Sequence, residues 1–119
     1  MRNLSFALTT RQMRDRTKTV TRRKGTYWAR VLKPGDLVCA VEKSQGIPKG
    51  GLVRIGVIRV VSVEVQNLWP MAEGDCAREG FPEMTDVWFA AMFCRHMGGT
   101  ADQIVTRIEF EHVEGQVSR

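Results

Sequence analysis

Apolar and polar positions change over in short runs along this chain, and most runs end on a turn signal. Leu4-Ser5-Phe6-Ala7-Leu8 alternates apolar with small or polar residues and predicts a first short strand. Thr9 or Thr10 then caps a short helix whose single apolar residue across Arg11–Asp15 is Met13, so it is exposed and basic. After Arg16–Arg23, which has almost no apolar content, and the run Thr26–Leu32, Lys33-Pro34-Gly35-Asp36 reads as a type II turn, proline fixing φ at one corner and glycine taking positive φ at the next. Leu37–Glu42 follows as a short apolar strand covered on both faces, and Lys43–Gly51 as a loop lying over whatever the scaffold binds. The longest strand signal runs from Leu52 to Val65. Its apolar set starts on one face with Val53, Ile55 and Val57 and crosses over near Gly56-Val57-Ile58 to Val60, which predicts a bulge; Arg54, Arg59 and Glu64 see solvent.

The last third is helical and then extended. Met71–Glu79 reads as a weak helix closed by Gly80-Phe81-Pro82, and Thr85 caps a clearer one through His96. Its stripe of Trp88, Phe89, Met92 and Phe93 reads as core. Ile104–Glu111 alternates, which turns Ile104, Ile108 and Phe110 inward, and a polar tail follows over 114–119. Nothing repeats, and nothing alternates as βαβ. The expectation is one α+β domain over 1–113, a small, mainly antiparallel β-barrel with helices packed over one end.

Composition narrows the class. A chain of 119 residues, 43% hydrophobic and 26% charged, can bury a core of its own and reads as globular, neither disordered nor membrane-spanning. The longest apolar run, Val87–Cys94, is far short of the roughly 20 residues that a bilayer requires. Met1-Arg2-Asn3 leads into no apolar signal region, so a cytoplasmic protein without a membrane partner is expected. Cys39, Cys76 and Cys94 form no C-x-x-C pair, and Cys94-x-His96 has no second pair at finger spacing; reduced core thiols, no metal and no cofactor are expected. There is no dinucleotide or Walker loop and no nucleophile elbow, and His96 and His112 have no evident partner.

The charge is more telling. Of the net +5, residues 1–30 hold Arg2, Arg11, Arg14, Arg16, Lys18, Arg22, Arg23, Lys24 and Arg30 against Asp15 alone. A basic face on a near-neutral body suggests a polyanion, RNA or DNA, with a merely solubilising face as the bland reading. The stretch Arg16–Arg23 carries four cations that repel unless something anionic sits among them, so it reads as surface rather than core. Candidate contacts are Arg16, Thr19, Arg22, Arg23, Lys24 and Lys43, with Trp28 as a base-stacking or a core residue. Catalysis is the other possibility. A threonine hydroxyl needs a base, and Lys18 can serve Thr21 if burial and neighbouring cations lower its pKa, with Glu79 or Glu83 as the acid. In a regular strand, however, positions 18 and 21 point to opposite faces, and only an irregular turn brings them together.

The order of motifs resembles a known family. Thr17-Lys18-Thr19-Val20-Thr21-Arg22-Arg23, Leu32-Lys33-Pro34-Gly35-Asp36, Ala77-Arg78-Glu79-Gly80-Phe81, the helix through Phe89–Cys94 and Val105–Phe110 together resemble the ASCH family, whose small stand-alone members are common in bacteria and bacteriophages. The resemblance implies a PUA-like β-barrel and a cleft associated with RNA or modified-base recognition. One branch comprises amidohydrolases that deacetylate N-acetylated cytidine. By that likeness Lys18 is the base, Thr21 the nucleophile and Glu79 the proton donor to the leaving amine. Thr17 stands where a glycine is common, and Phe81–Thr85 differs in length from that branch, which leaves Glu83 beside Glu79 for the acid role.

Overall fold

The computed structural model describes residues 1–113; the tail expected over 114–119 lies outside the described residues. Strands β1 (Arg2–Ser5), β2 (Val20–Lys24), β3 (Leu37–Val41), β4 (Arg54–Asn67) and β5 (Ile104–His112) form one curled sheet in the order β1-β3-β4-β5-β2. β1 pairs with β3 in parallel and the other neighbours are antiparallel. Helices α1 (Thr10–Arg14), α2 (Tyr27–Val31), α3 (Asp75–Arg78) and α4 (Asp86–Met97) pack against it. The result is a mixed α+β half-barrel, with β1 and β2 as the two edges.

Local chemistry sets most boundaries. In the turn before β3, Asp36 N donates to Lys33 O at 3.1 Å while Gly35 takes φ +94°, the geometry that a Pro-Gly pair favours. At Thr85 the side chain accepts from Trp88 N at 3.1 Å, an N-cap for α4. The crossing of the apolar set in β4 corresponds to two irregularities. One extra residue, Ile55, falls opposite the Ala40/Val41 step, and a second, Val61, opposite the Phe110/Glu109 step. Two bulges in one long strand coil it enough to curl the sheet.

Cores form on both faces. Leu4, Phe6, Met13, Val38, Ala40, Ile58, Val60, Ile108 and Phe110 make one; Leu68, Met71, Cys76, Phe89, Ala90, Phe93 and Val105 make the other, under the helices. β5 therefore departs from simple alternation. Val105 through Ile108 are all buried because β5 lies between two strands with both faces covered, whereas Ile104, expected inward, stands at the first position of the strand and is 45% exposed.

Candidate functional site

The segment that delivers Lys18 is an irregular turn. Arg16 sits at φ +64°, Thr17 N and Lys18 N both donate to Gln12 O at 3.0 and 3.2 Å, and Asp15 Oδ1 accepts from Thr17 N at 3.0 Å and from Thr17 Oγ1 at 2.6 Å. The left-handed residue and the Asp15–Thr17 bonds make the bend without a glycine at position 17. β2 begins only at Val20, so the strand rule that separates positions 18 and 21 does not reach Lys18, and both side chains line one cleft. His112 Nε2 lies 2.8 Å from the Lys18 carbonyl, which can only accept, so that nitrogen carries a hydrogen and anchors the backbone.

β2 and β5 then place two like charges opposite each other. Arg22 and Arg107 are direct cross-strand partners, an arrangement that repels unless an anion bridges it. Asp75, fully buried on α3, is that anion. Its Oδ2 accepts from Arg22 Nη2 at 2.5 Å and Arg107 Nε at 2.8 Å, and its Oδ1 from Arg107 Nη2 at 2.9 Å and Arg78 Nη1 at 3.0 Å. Burial pushes the Asp75 carboxyl up, but the bonds from Arg107 and Arg22 outweigh it and hold the group well below the usual carboxylate range. Glu79 extends the network. It accepts from Arg22 Nη1 at 3.0 Å on one oxygen and from Lys18 Nζ at 2.7 Å on the other, and its own carbonyl accepts from Lys18 Nζ at 2.9 Å.

The surface reading of Arg16–Arg23 is thereby corrected in part. Lys18, Thr21 and Arg22 are buried, because Asp75 and Glu79 supply from within the chain the anions that the cations require. Burial lowers the pKa of Lys18, with Arg23 and Arg22 acting in the same direction and Glu79 opposing. Among the described residues the Lys18 ammonium donates to Glu79 alone, to its carboxylate and its carbonyl, while Thr21 Oγ1 accepts from Arg23 Nε at 3.2 Å.

Above this network opens a cleft of about 410 Å³, between β2, the Ser5–Thr9 segment and α4. Lys18, Thr21, Arg22, Arg23, Lys24, Lys43 and Glu79 line it together. Phe6, Phe81, Phe89, Met92 and Phe93 supply its apolar surface, so part of the α4 stripe expected as core is cleft wall. Glu83 is exposed and outside the lining, so of the two glutamates the cleft holds Glu79. Arg16, Thr19 and Trp28 do not line it either. Arg16 borders a second hollow with Met13, Arg14 and His112; Thr19 is tied by its backbone to Arg78 O and Phe110 N; Trp28 packs on the first core and edge-on to Tyr27 at 5.1 Å. Asp75, Arg107 and Phe81 are the residues that sequence reasoning missed. Among the described residues no cluster of three His, Cys, Asp or Glu side chains is placed to hold a metal, and no helix is long and apolar enough to cross a membrane.

No family model and no curated protein matches the sequence. Solved structures do. Protein EF3133 of Enterococcus faecalis V583, of the DUF984 family model, superposes with a TM-score of 0.70 at 14% identity, covering 98% of this chain and 81% of that one. An ASCH domain from Lactobacillus crispatus JV V101 gives 0.61 at 14% identity over 92% of this chain and 77% of its own. Hypothetical protein PH0355 gives 0.63 at 17% over 93% and 95%. At such identities the likeness is one of fold, and the fold is that of an ASCH domain, as the order of motifs implies.

Proposed function

We propose that this chain, with the fold of an ASCH domain, binds a single base of RNA or DNA, or a modified nucleoside, in the cleft between β2 and α4. Fold alone does not carry function, so the reading rests on the site. The observation that carries it is the two-sided lining: aromatic and methionine side chains on one part, and Lys18, Thr21 and Glu79 on another. A nucleobase has the matching character, flat apolar faces with a polar edge. The volume lies in the range of about 300–1,000 Å³ typical of small-ligand pockets, too small for a duplex. Calorimetric titration with cytidine, N-acetylcytidine, uridine and guanosine tests this. At least one should bind, and Phe81→Ala should weaken it by about tenfold, the loss expected for one stacking ring. Absence of binding by every nucleoside and by single-stranded oligonucleotides at low salt overturns the reading and points to a protein partner for the basic face.

One observation favours a second reading, deacylation of N-acetylcytidine or a related nucleoside. Lys18 and Thr21 share the cleft, and Glu79 is hydrogen-bonded to Lys18. The resting Lys18 ammonium donates to Glu79, so it must first pass that proton to the Glu79 carboxylate, which leaves a neutral lysine amine to accept one from Thr21 and a carboxylic acid to protonate the departing amine; burial of Lys18 favours its neutral form. Thr21 Oγ would then bond to the acyl carbon as its proton passes to Lys18. The C–N bond breaks as Glu79 protonates the departing amine, and water hydrolyses the ester. Release of cytidine from N-acetylcytidine is the assay. Thr21→Ala should reduce turnover to background while leaving binding nearly intact, and a wild type without turnover removes this reading for that substrate.

A further inference from the structure

Arg23 differs from the other cations of the cleft. Five cations line it, Lys18, Arg22, Arg23, Lys24 and Lys43, against the single carboxylate of Glu79. Both oxygens of Glu79 are engaged, one by Lys18 and one by Arg22. Arg23 has only neutral partners: Nε donates to Thr21 Oγ1 at 3.2 Å, Nη2 to Ser5 O at 2.8 Å, and the guanidinium carbon lies 4.9 Å from the centre of the Phe6 ring. Among the described residues no carboxylate is within ion-pair distance of it, and its Nη1 has no hydrogen-bond partner. Burial lowers its pKa to about 10 against the opposing effect of the Glu79 charge, which acts on it without an ion pair, so it remains a cation at neutral pH.

A guanidinium drawn partly out of water among neutral groups is incompletely compensated, and its free donors form a fork suited to two oxygens of one anion. Two further cations stand at the mouth. Lys24 reaches Gln103 Oε1 at 3.2 Å, and Lys43 is exposed on the loop after β3. We propose that the ligand of this cleft carries a phosphate seated on Arg23, with Lys24 and Lys43 closing round it. The inference rests on the nucleobase reading for the rest of the ligand and adds its charge class. The base occupies the Phe81–Phe93 side, and the phosphate occupies the Arg23 side.

The test uses the whole chain labelled with nitrogen-15. Inorganic phosphate alone should shift the Arg23 Nε–Hε signal in a saturable way. Cytidine 5′-monophosphate should bind about tenfold or more tightly than cytidine, the gain expected of a charge-assisted hydrogen-bonded pair. Arg23→Gln should bring the two affinities together. Because Arg23 also holds Ser5, Lys43→Gln on the exposed loop is the second variant, expected to weaken the monophosphate severalfold and cytidine hardly at all. A dinucleotide with one internal phosphodiester separates the sources. A gain equal to that of the monophosphate assigns the phosphate to a strand, cytidine-like affinity assigns it to a free nucleotide, and either keeps the anion on Arg23. An unmoved Arg23 signal together with equal affinities for cytidine and its monophosphate overturns the proposal and leaves the nucleobase reading standing. A saturable phosphate shift without binding of any nucleoside has the reverse meaning: the anion site stands and the nucleobase reading falls.

Discussion

At the scale of single residues, Gly80 decides where Glu79 can be. It follows the end of α3 at φ +103°, and a Cβ there would lie 2.7 Å from Gln12 Cγ and 2.8 Å from Gln12 Cβ, with Lys18 Cβ at 3.5 Å. Only glycine fits both the left-handed backbone and the close approach of α1. The Glu-Gly-Phe order of positions 79 to 81 therefore has a physical meaning. The first residue enters the ion network, the second permits the contact, and the third turns its ring to the cleft 5.0 Å from Trp88. Gly80→Ala should lower unfolding stability by about 2–4 kcal/mol in urea, from backbone strain plus displacement of α1. A midpoint equal to that of the wild type would mean that α3 slides freely and that Gly80 is no constraint.

At the scale of elements, α3 is four residues long, and its place depends on charge more than on its own helix. Asp75→Asn keeps its shape and removes its charge, leaving Arg22, Arg78 and Arg107 around a neutral group. The expected cost is about 3–5 kcal/mol, measured by denaturant unfolding. The pH dependence has a definite sign. Asp75 titrates below its ordinary 3.8 when folded, so as pH falls the unfolded chain takes up the proton first. Its contribution is thus complete above that value and is lost as pH falls below it, and Asp75→Asn should flatten the acid limb. Lys18 titrates below its ordinary 10.5 when folded, so between its folded value and 10.5 the unfolded chain again holds more protons. Stability from this group rises with pH there, and Lys18→Met should abolish that rise. What was legible in the sequence divides along similar lines. The Thr85 cap and the Pro34-Gly35 turn depend on neighbours a few residues away and could be read directly. In β5 the inward reading holds at Ile108 and Phe110 and fails at Ile104, and Val105–Arg107 are buried as well because the second face is also covered, which sequence pattern does not show. Asp75 was missed because the arginines that give it meaning, Arg22 and Arg107, stand 53 and 32 residues away. Glu79, 61 residues from Lys18, was named from the residues only as one of two acids beside Glu83, and the resemblance favoured it.

At the scale of the whole molecule, the basic N-terminal third is less available to a polyanion than its formal charge suggests. Lys18 and Arg22 are spent on internal carboxylates, and the cleft offers Arg23, Lys24 and Lys43. Binding of a single-stranded oligonucleotide should therefore depend on salt weakly, with a log–log slope of about −2 for three cations. A slope steeper than about −4 would show that exposed cations outside the cleft, such as Arg11 and Arg30, track the backbone as well. The sheet order adds one consequence. β1 and β2 are its opposite edges, yet the Arg23 guanidinium reaches from β2 to the Ser5 carbonyl at the end of β1. The open side of the half-barrel is thus fastened by a side-chain clasp in place of a backbone ladder. Under the anion seat proposed for Arg23, cargo and closure share one guanidinium, so Arg23→Gln should cost both the anion and the tie to Ser5.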